Sequence, residues 1–224
     1  MLTAMLVLIL SACAVENNYT LQIPLNEDPG PLSTPVPSPE PKKILSICLG
    51  EEPYSLFIYG DQSPSANIIR QAIYDGPVDL VNFESFSTLL EEIPSRENEL
   101  VRLTQVEVFP GQRIIDAKGN LTILGNGVVF SPSGCTSEDC WESFENQPSV
   151  FLDQVEIIYP VKSGIVWSDG TPLKASDSIF SYRVAIQIYG LGGPGKLRYT
   201  SNYELLENEE ISWKGLPGYL GLYS

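Results

Sequence analysis

Histidine is absent from all 224 residues. That removes the commonest general base, the usual activator of serine and cysteine nucleophiles, and the commonest metal ligand in one step. Any covalent chemistry would have to run on carboxylates, lysine or tyrosine. Positive charge is scarce too: 13 Lys and Arg stand against 28 Asp and Glu, a formal net charge of -15. A field of that sign repels phosphate backbones and anionic lipid headgroups, so no nucleic-acid partner is expected. The acidity reads as a solubilising surface outside the cell, with part of it open to cationic ligands. The apolar run at residues 2–10 falls short of the ~20 residues that a membrane-crossing helix needs. Apolar and aromatic side chains are present in ordinary amounts, 43% and 10% of the chain, so a globular body with its own core is expected rather than a disordered chain or a membrane bundle.

Short as it is, the run at residues 2–10 suits the apolar core of a secretory signal, although no Lys or Arg precedes it. It ends in Leu10-Ser11-Ala12-Cys13, a string similar to a bacterial lipobox, in which small residues admit the signal peptidase and the cysteine sulfur takes the lipid. The competing reading is a core strand with an incidental thiol. Residues 14–43 are interleaved with prolines, from Pro24 to Pro41, among Ser, Thr, Asn and Glu. Such a segment is extended at ~3.1 Å per residue and serves as a spacer. Residues 1–13 as signal ending at a lipidated Cys13, residues 14–43 as linker and residues 44–224 as a folded lobe describe an exported protein tethered to the cell membrane and facing the periplasm or the exterior.

Cys48 lies in an apolar, strand-like run over residues 44–49, where a thiol packs as a small hydrophobe. Cys135 and Cys140 bracket a polar tetrapeptide, and export to an oxidising compartment predicts a local disulfide between them. The rival metal-site reading is under-supplied with ligands, since no further Cys or His lies nearby. No metal and no cofactor is expected.

Along the body, Ser63-Pro64 reads as the start of a helix with Ala66, Ile69, Ala72 and Ile73 on one face, ending at Tyr74-Asp75-Gly76-Pro77. Residues 87–93 suggest a second short helix closed by Pro94. Val101, Leu103, Val106 and Val108 mark a strand, and Asp116-Ala117-Lys118-Gly119-Asn120 a hairpin turn between residues 114–115 and 121–124. Val155, Ile157, Tyr159 and Val161 alternate as in a half-buried strand, whereas Ile179, Tyr182, Ile186 and Tyr189 follow helical spacing over residues 175–189, ended by Gly190. Residues 192–195 read as a mobile glycine-rich loop and residues 211–214 as a last strand.

Between that strand and helix stands Gly164-Ile165-Val166-Trp167-Ser168-Asp169-Gly170-Thr171-Pro172-Leu173, followed by Ala175, Asp177, Phe180 and Ser181. Asp169 and Gly170 suit a tight turn, Pro172 the approach to a helix, and Asp177 the positive end of the helix dipole. This ordered string resembles the signature of family 5 of the bacterial extracellular solute-binding proteins, which serve oligopeptide, dipeptide and nickel importers of the ATP-binding cassette type. The string departs from that signature at Lys174, in place of a capping Thr, and at Ser178, in place of Val. Glu52-Pro53-x-x-Leu56 and Ala72-Ile73-Tyr74-Asp75-Gly76 extend the resemblance over residues 42–224.

The resemblance implies an α/β fold of the periplasmic-binding-protein type II, here its first lobe, with a mixed sheet, flanking helices and a β-hairpin region. The chain stops where the second lobe is expected to begin. It also implies a binding protein rather than an enzyme, capturing peptides or related solutes and handing them to the permease subunits of the importer. The ligand cleft is then expected near Ile58, Tyr59, Gly60 and Tyr74, with Trp167 and Asp169 as further contacts. For Tyr59, Tyr74 and Trp167 the alternative is a core position, and for Asp169 a purely scaffolding one. Two other functions stay open: a glycoside hydrolase using a carboxylate pair such as Asp169 with Asp177, and a lipid-anchored adhesion module.

Overall fold

The computed structural model describes residues 44–221. Cys13, the expected signal and the proline-rich linker lie outside the described residues. The chain divides into two units between Ile47 and Cys48, and all the regular structure described lies in the second. In chain order it comprises α1 (Pro64–Ile73), β1 (Val78–Val81), β2 (Glu84–Ser87), β3 (Val101–Val108), β4 (Arg113–Ile115), β5 (Leu121–Ile123), β6 (Val129–Phe130), β7 (Glu142–Ser143), β8 (Val150–Tyr159), α2 (Ala175–Tyr189), β9 (Thr200–Leu205) and β10 (Ile211–Gly215). The fold is thus α/β. Its main sheet has four strands in the order β3-β8-β10-β9, every pair antiparallel, and β1-β2, β4-β5 and β6-β7 form separate two-stranded ladders. The expected mixed sheet is therefore corrected to an antiparallel one among the described residues. No helix among them is long and apolar enough to cross a membrane.

Strand β8 is central in the sheet and buries different faces along its length. In its first half Val150 and Leu152 pack with Val108, Ile114, Leu124, Phe130 and Phe144. In its second half Val155 and Ile157, which point to the opposite side of the pleat, pack with Val101 and Trp213. A third cluster joins Ala175 and Ile179 of α2 to Ile211 of β10. Helix α2 is thereby held against the β9-β10 end of the sheet. Where β10 leaves the sheet, Gly218 has φ +84, and a Cβ there would run into the Ile115 carbonyl oxygen, so only glycine fits the close approach of these two segments.

Helix α1 and helix α2 keep the bounds expected for them. Ser63 caps α1, its Oγ accepting from the Ala66 N–H at 3.3 Å, with Pro64 opening the first turn. The apolar face of α1 is less buried than its spacing implies: Ala66 is buried, but Ala72 is exposed and Ile73 is 60% exposed. Arg70 takes the inside position instead. Its guanidinium donates to the Phe57 carbonyl at 3.1 Å, to Asn67 Oδ1 at 2.7 Å and to the Asp61 carbonyl, so backbone acceptors of the preceding turn satisfy a buried cation.

Three further expectations are corrected. Residues 44–49 form no strand; Ile44, Leu45 and Cys48 are exposed, because no strand among the described residues pairs with them. Residues 87–93 form no helix. The Thr88 and Leu89 N–H groups donate to the Pro77 carbonyl and Leu90 bridges Val161, so cross-chain pairing replaces the helical pattern. The glycine-rich segment at 190–199 contains 3₁₀ turns at Gly190–Gly192 and Gly195–Tyr199. Cys135 and Cys140 are joined by a disulfide, with the Cα atoms 5.7 Å apart.

Candidate functional site

A groove of about 650 Å³ opens along α2, between that helix, the β9-β10 end of the sheet and the segment around Pro77 and Leu90. Its walls are mainly apolar and aromatic, with Tyr159, Tyr182, Tyr203 and Trp213 on the helix and sheet sides and Tyr59 and Trp167 among the others. The helical spacing that brings Ala175 and Ile179 onto the core also turns Ser178 and Tyr182 towards β9. The Tyr182 and Tyr203 rings lie 4.9 Å apart at 49°, and the Tyr203 hydroxyl is 2.7 Å from Ser178 Oγ. Trp213 is buried, its indole N–H donating to Thr200 Oγ1 at 2.8 Å.

Burial sets the electrostatics of these phenols. Tyr159 is pushed up to about 12, first by desolvation and then by the nearby Tyr203. Burial also raises Tyr203, against the opposing Ser178 hydrogen bond, and raises Tyr182, against the opposing charge of Arg113. These three tyrosines are therefore neutral hydrogen-bonding groups on apolar bodies, a composition that suits ligand enclosure.

The string from Ile165 to Leu173 is a tight hairpin. Leu173 N–H donates to the Ile165 carbonyl at 2.9 Å, Trp167 N–H to the Thr171 carbonyl at 2.8 Å and Gly170 N–H to the Trp167 carbonyl at 2.9 Å, with Gly170 at φ +86. Asp169 Oδ1 accepts from both the backbone N–H and the hydroxyl of Thr171, at 2.9 and 2.7 Å, which holds its carboxyl below the usual range. A general acid needs the opposite shift, so Asp169 is suited to fixing the turn. Asp177 Oδ2 accepts from the Lys174 N–H at 3.0 Å and from the Trp167 indole N–H at 3.2 Å. Asp177, at the third helical position, thus satisfies the backbone N–H of the residue before the helix, the reciprocal half of a capping box.

Of the residues expected to meet ligand, the fold brings Tyr59 and Trp167 to the groove. Tyr59 donates to the Ser181 carbonyl at 3.0 Å and stacks edge-on against Tyr189 at 5.9 Å, which ties the turn after residue 54 to α2. Trp167 is 45% exposed, so it is no core residue. Ile58, Gly60, Tyr74 and Asp169 lie outside the groove; Ile58 and Tyr74 are both more than half exposed. In the sequence the residues that supply most of its aromatic wall stand only as strand or helix positions, and Tyr203 carries no signal because the pattern predicts no strand over residues 200–205. Asp177, Ser178 and Tyr182, at helical spacing after the string, were the legible hint. Among the described residues no cluster of acidic and cysteine side chains could hold a metal ion. No protein-family model, no curated protein and no solved structure matches the chain.

Proposed function

We propose that this chain is the ligand-capturing first lobe of a substrate-binding lipoprotein, of periplasmic-binding-protein type II architecture, that delivers peptides or related solutes to an ATP-binding cassette importer. The observation that carries this reading is the groove along α2, which adjoins both the Trp167 hairpin and Tyr59. Its volume is in the range of small-molecule sites, and its wall combines aromatic surface with a few hydroxyls. The acidic body, the Cys13 string and the proline-rich spacer agree with tethered capture outside the membrane. Capture needs no covalent step: a binding protein works by differential affinity between open and closed forms, and its closed form is what a permease would recognise.

The test is a thermal-shift screen of the purified protein against pools of dipeptides, longer peptides and sugars. A ligand at 100 times its Kd stabilises by about 2.7 kcal/mol, a rise of several degrees in midpoint for a domain of this size. The peptide pools are expected to give that rise. The absence of a shift with every pool overturns the proposal.

A further inference from the structure

The groove reverses the sign of the rest of the chain. Acids outnumber bases by 28 to 13 overall, yet the groove is lined by two lysines, Lys174 and Lys196, and by one acid, Asp177. That acid is already engaged by the Lys174 N–H and the Trp167 indole. Among the described residues neither lysine ammonium has a hydrogen-bond or ion-pair partner, and both residues are exposed at the edge of the groove. The ion pairs among the described residues belong to Lys214, with Glu156 and Glu204. Lys162, by contrast, spends its ammonium on the Ser87 and Thr88 carbonyls. Outside the groove lining, Arg113 opposes the effect of burial on the Tyr182 phenol, and its guanidinium is fixed by the Leu191 and Arg198 carbonyls at 3.1 and 2.8 Å. The two lysines come from segments before and after α2 in the chain, and both line the groove together with Tyr182, Tyr203 and Trp213.

We infer that this groove selects a solute with an apolar or aromatic body and a free carboxylate, the carboxylate meeting Lys196 or Lys174 while the body lies on the tyrosine and tryptophan faces. This rests on the solute-binding reading above. An ammonium facing a carboxylate beside a low-dielectric aromatic wall attracts it more strongly than at the open surface, and the acidic exterior disfavours anions elsewhere on the protein. Two sources share this chemistry, the C-terminus of a short apolar peptide and a free aryl carboxylic acid.

The experiment is titration calorimetry on the full chain with four probes: the tripeptide Leu-Leu-Phe, its C-terminal amide, 3-phenylpropionate and its amide. At least one acid is expected to bind tenfold or more tightly than its amide. That preference is expected to weaken when salt is raised from about 0.05 to 0.5 M and to fall below threefold in Lys196→Gln or Lys174→Gln, whose folding is checked by circular dichroism. Binding of the peptide acid alone assigns the peptide source, and binding of both acids assigns the shared chemistry. Equal affinity of acid and amide overturns the charge inference and leaves the solute-binding reading standing. Failure of all four probes to bind overturns the inference, and the thermal-shift screen then decides the wider reading separately.

Discussion

The Trp167 indole N–H donates to Asp177 Oδ2 at 3.2 Å, and the same oxygen accepts the Lys174 backbone N–H at 3.0 Å. One carboxylate therefore closes the first turn of α2 and fixes the angle at which the hairpin leaves it. The two residues are ten apart in sequence, and their bond ties the hairpin to the helix where both line the groove.

Replacing Asp177 by alanine removes the acceptor of an otherwise unsatisfied helix N–H and of the indole. The expected loss is about 1 kcal/mol, within the range for helix caps. Asp177→Asn retains an oxygen acceptor and is expected to lose less. Urea unfolding of the three proteins measures the difference, and an unchanged midpoint in Asp177→Ala would contradict the capping role.

Alkaline stability follows from Tyr159, whose phenol is pushed up to about 12 by burial from an ordinary value of 10.0. Below pH 10 both folded and unfolded chains keep the proton, so this group adds no pH dependence. As pH rises from about 10 towards about 12 the unfolded chain releases its proton first, and folding stability falls by about 2 to 3 kcal/mol from this residue. Tyr203, raised in the same direction, acts with the same sign. Tyr159→Phe is expected to flatten the decline, read as urea midpoints between about pH 9 and 11.5. An equally steep decline in the variant would refute the assignment.

The Cys135–Cys140 disulfide closes a short exposed loop beside Asp153, which accepts from Ser133 Oγ at 2.5 Å and from the Gly134 N–H at 2.9 Å. Loop-closure entropy for a ring this short corresponds to about 2 kcal/mol. The double change Cys135→Ser with Cys140→Ser is expected to lower stability by up to that amount while leaving the sheet intact, since no strand of the four-stranded sheet lies within the loop. Denaturant unfolding with and without reductant checks it; equal midpoints for the parent in both would show the Asp153 contacts alone to be sufficient.

Local chemistry determined a good deal of this protein. Helices α1 and α2, the 114–123 hairpin, strands β3 and β10, the second half of β8 and the Cys135–Cys140 pairing all follow from caps, turn residues, periodicity and cysteine spacing, because each depends on neighbours close in the chain. The Trp167 string is legible for the same reason: Asp169, Gly170 and Thr171 bond among themselves. Only the tertiary structure decided the rest. Residues 87–93 carry a helical pattern that pairing with Pro77 and Val161 overrides, and residues 44–49 carry a strand pattern that finds no partner. Strand β8 changes its buried face midway because two core clusters lie on opposite sides of it, which no single alternation can announce. The groove is the clearest case. Tyr59, Trp167, Tyr182, Lys196 and Tyr203 span more than half the described chain, and they become one wall only when α2 packs across the β9-β10 end of the sheet, because burying Ala175 and Ile179 on Ile211 fixes which way the neighbouring side chains face.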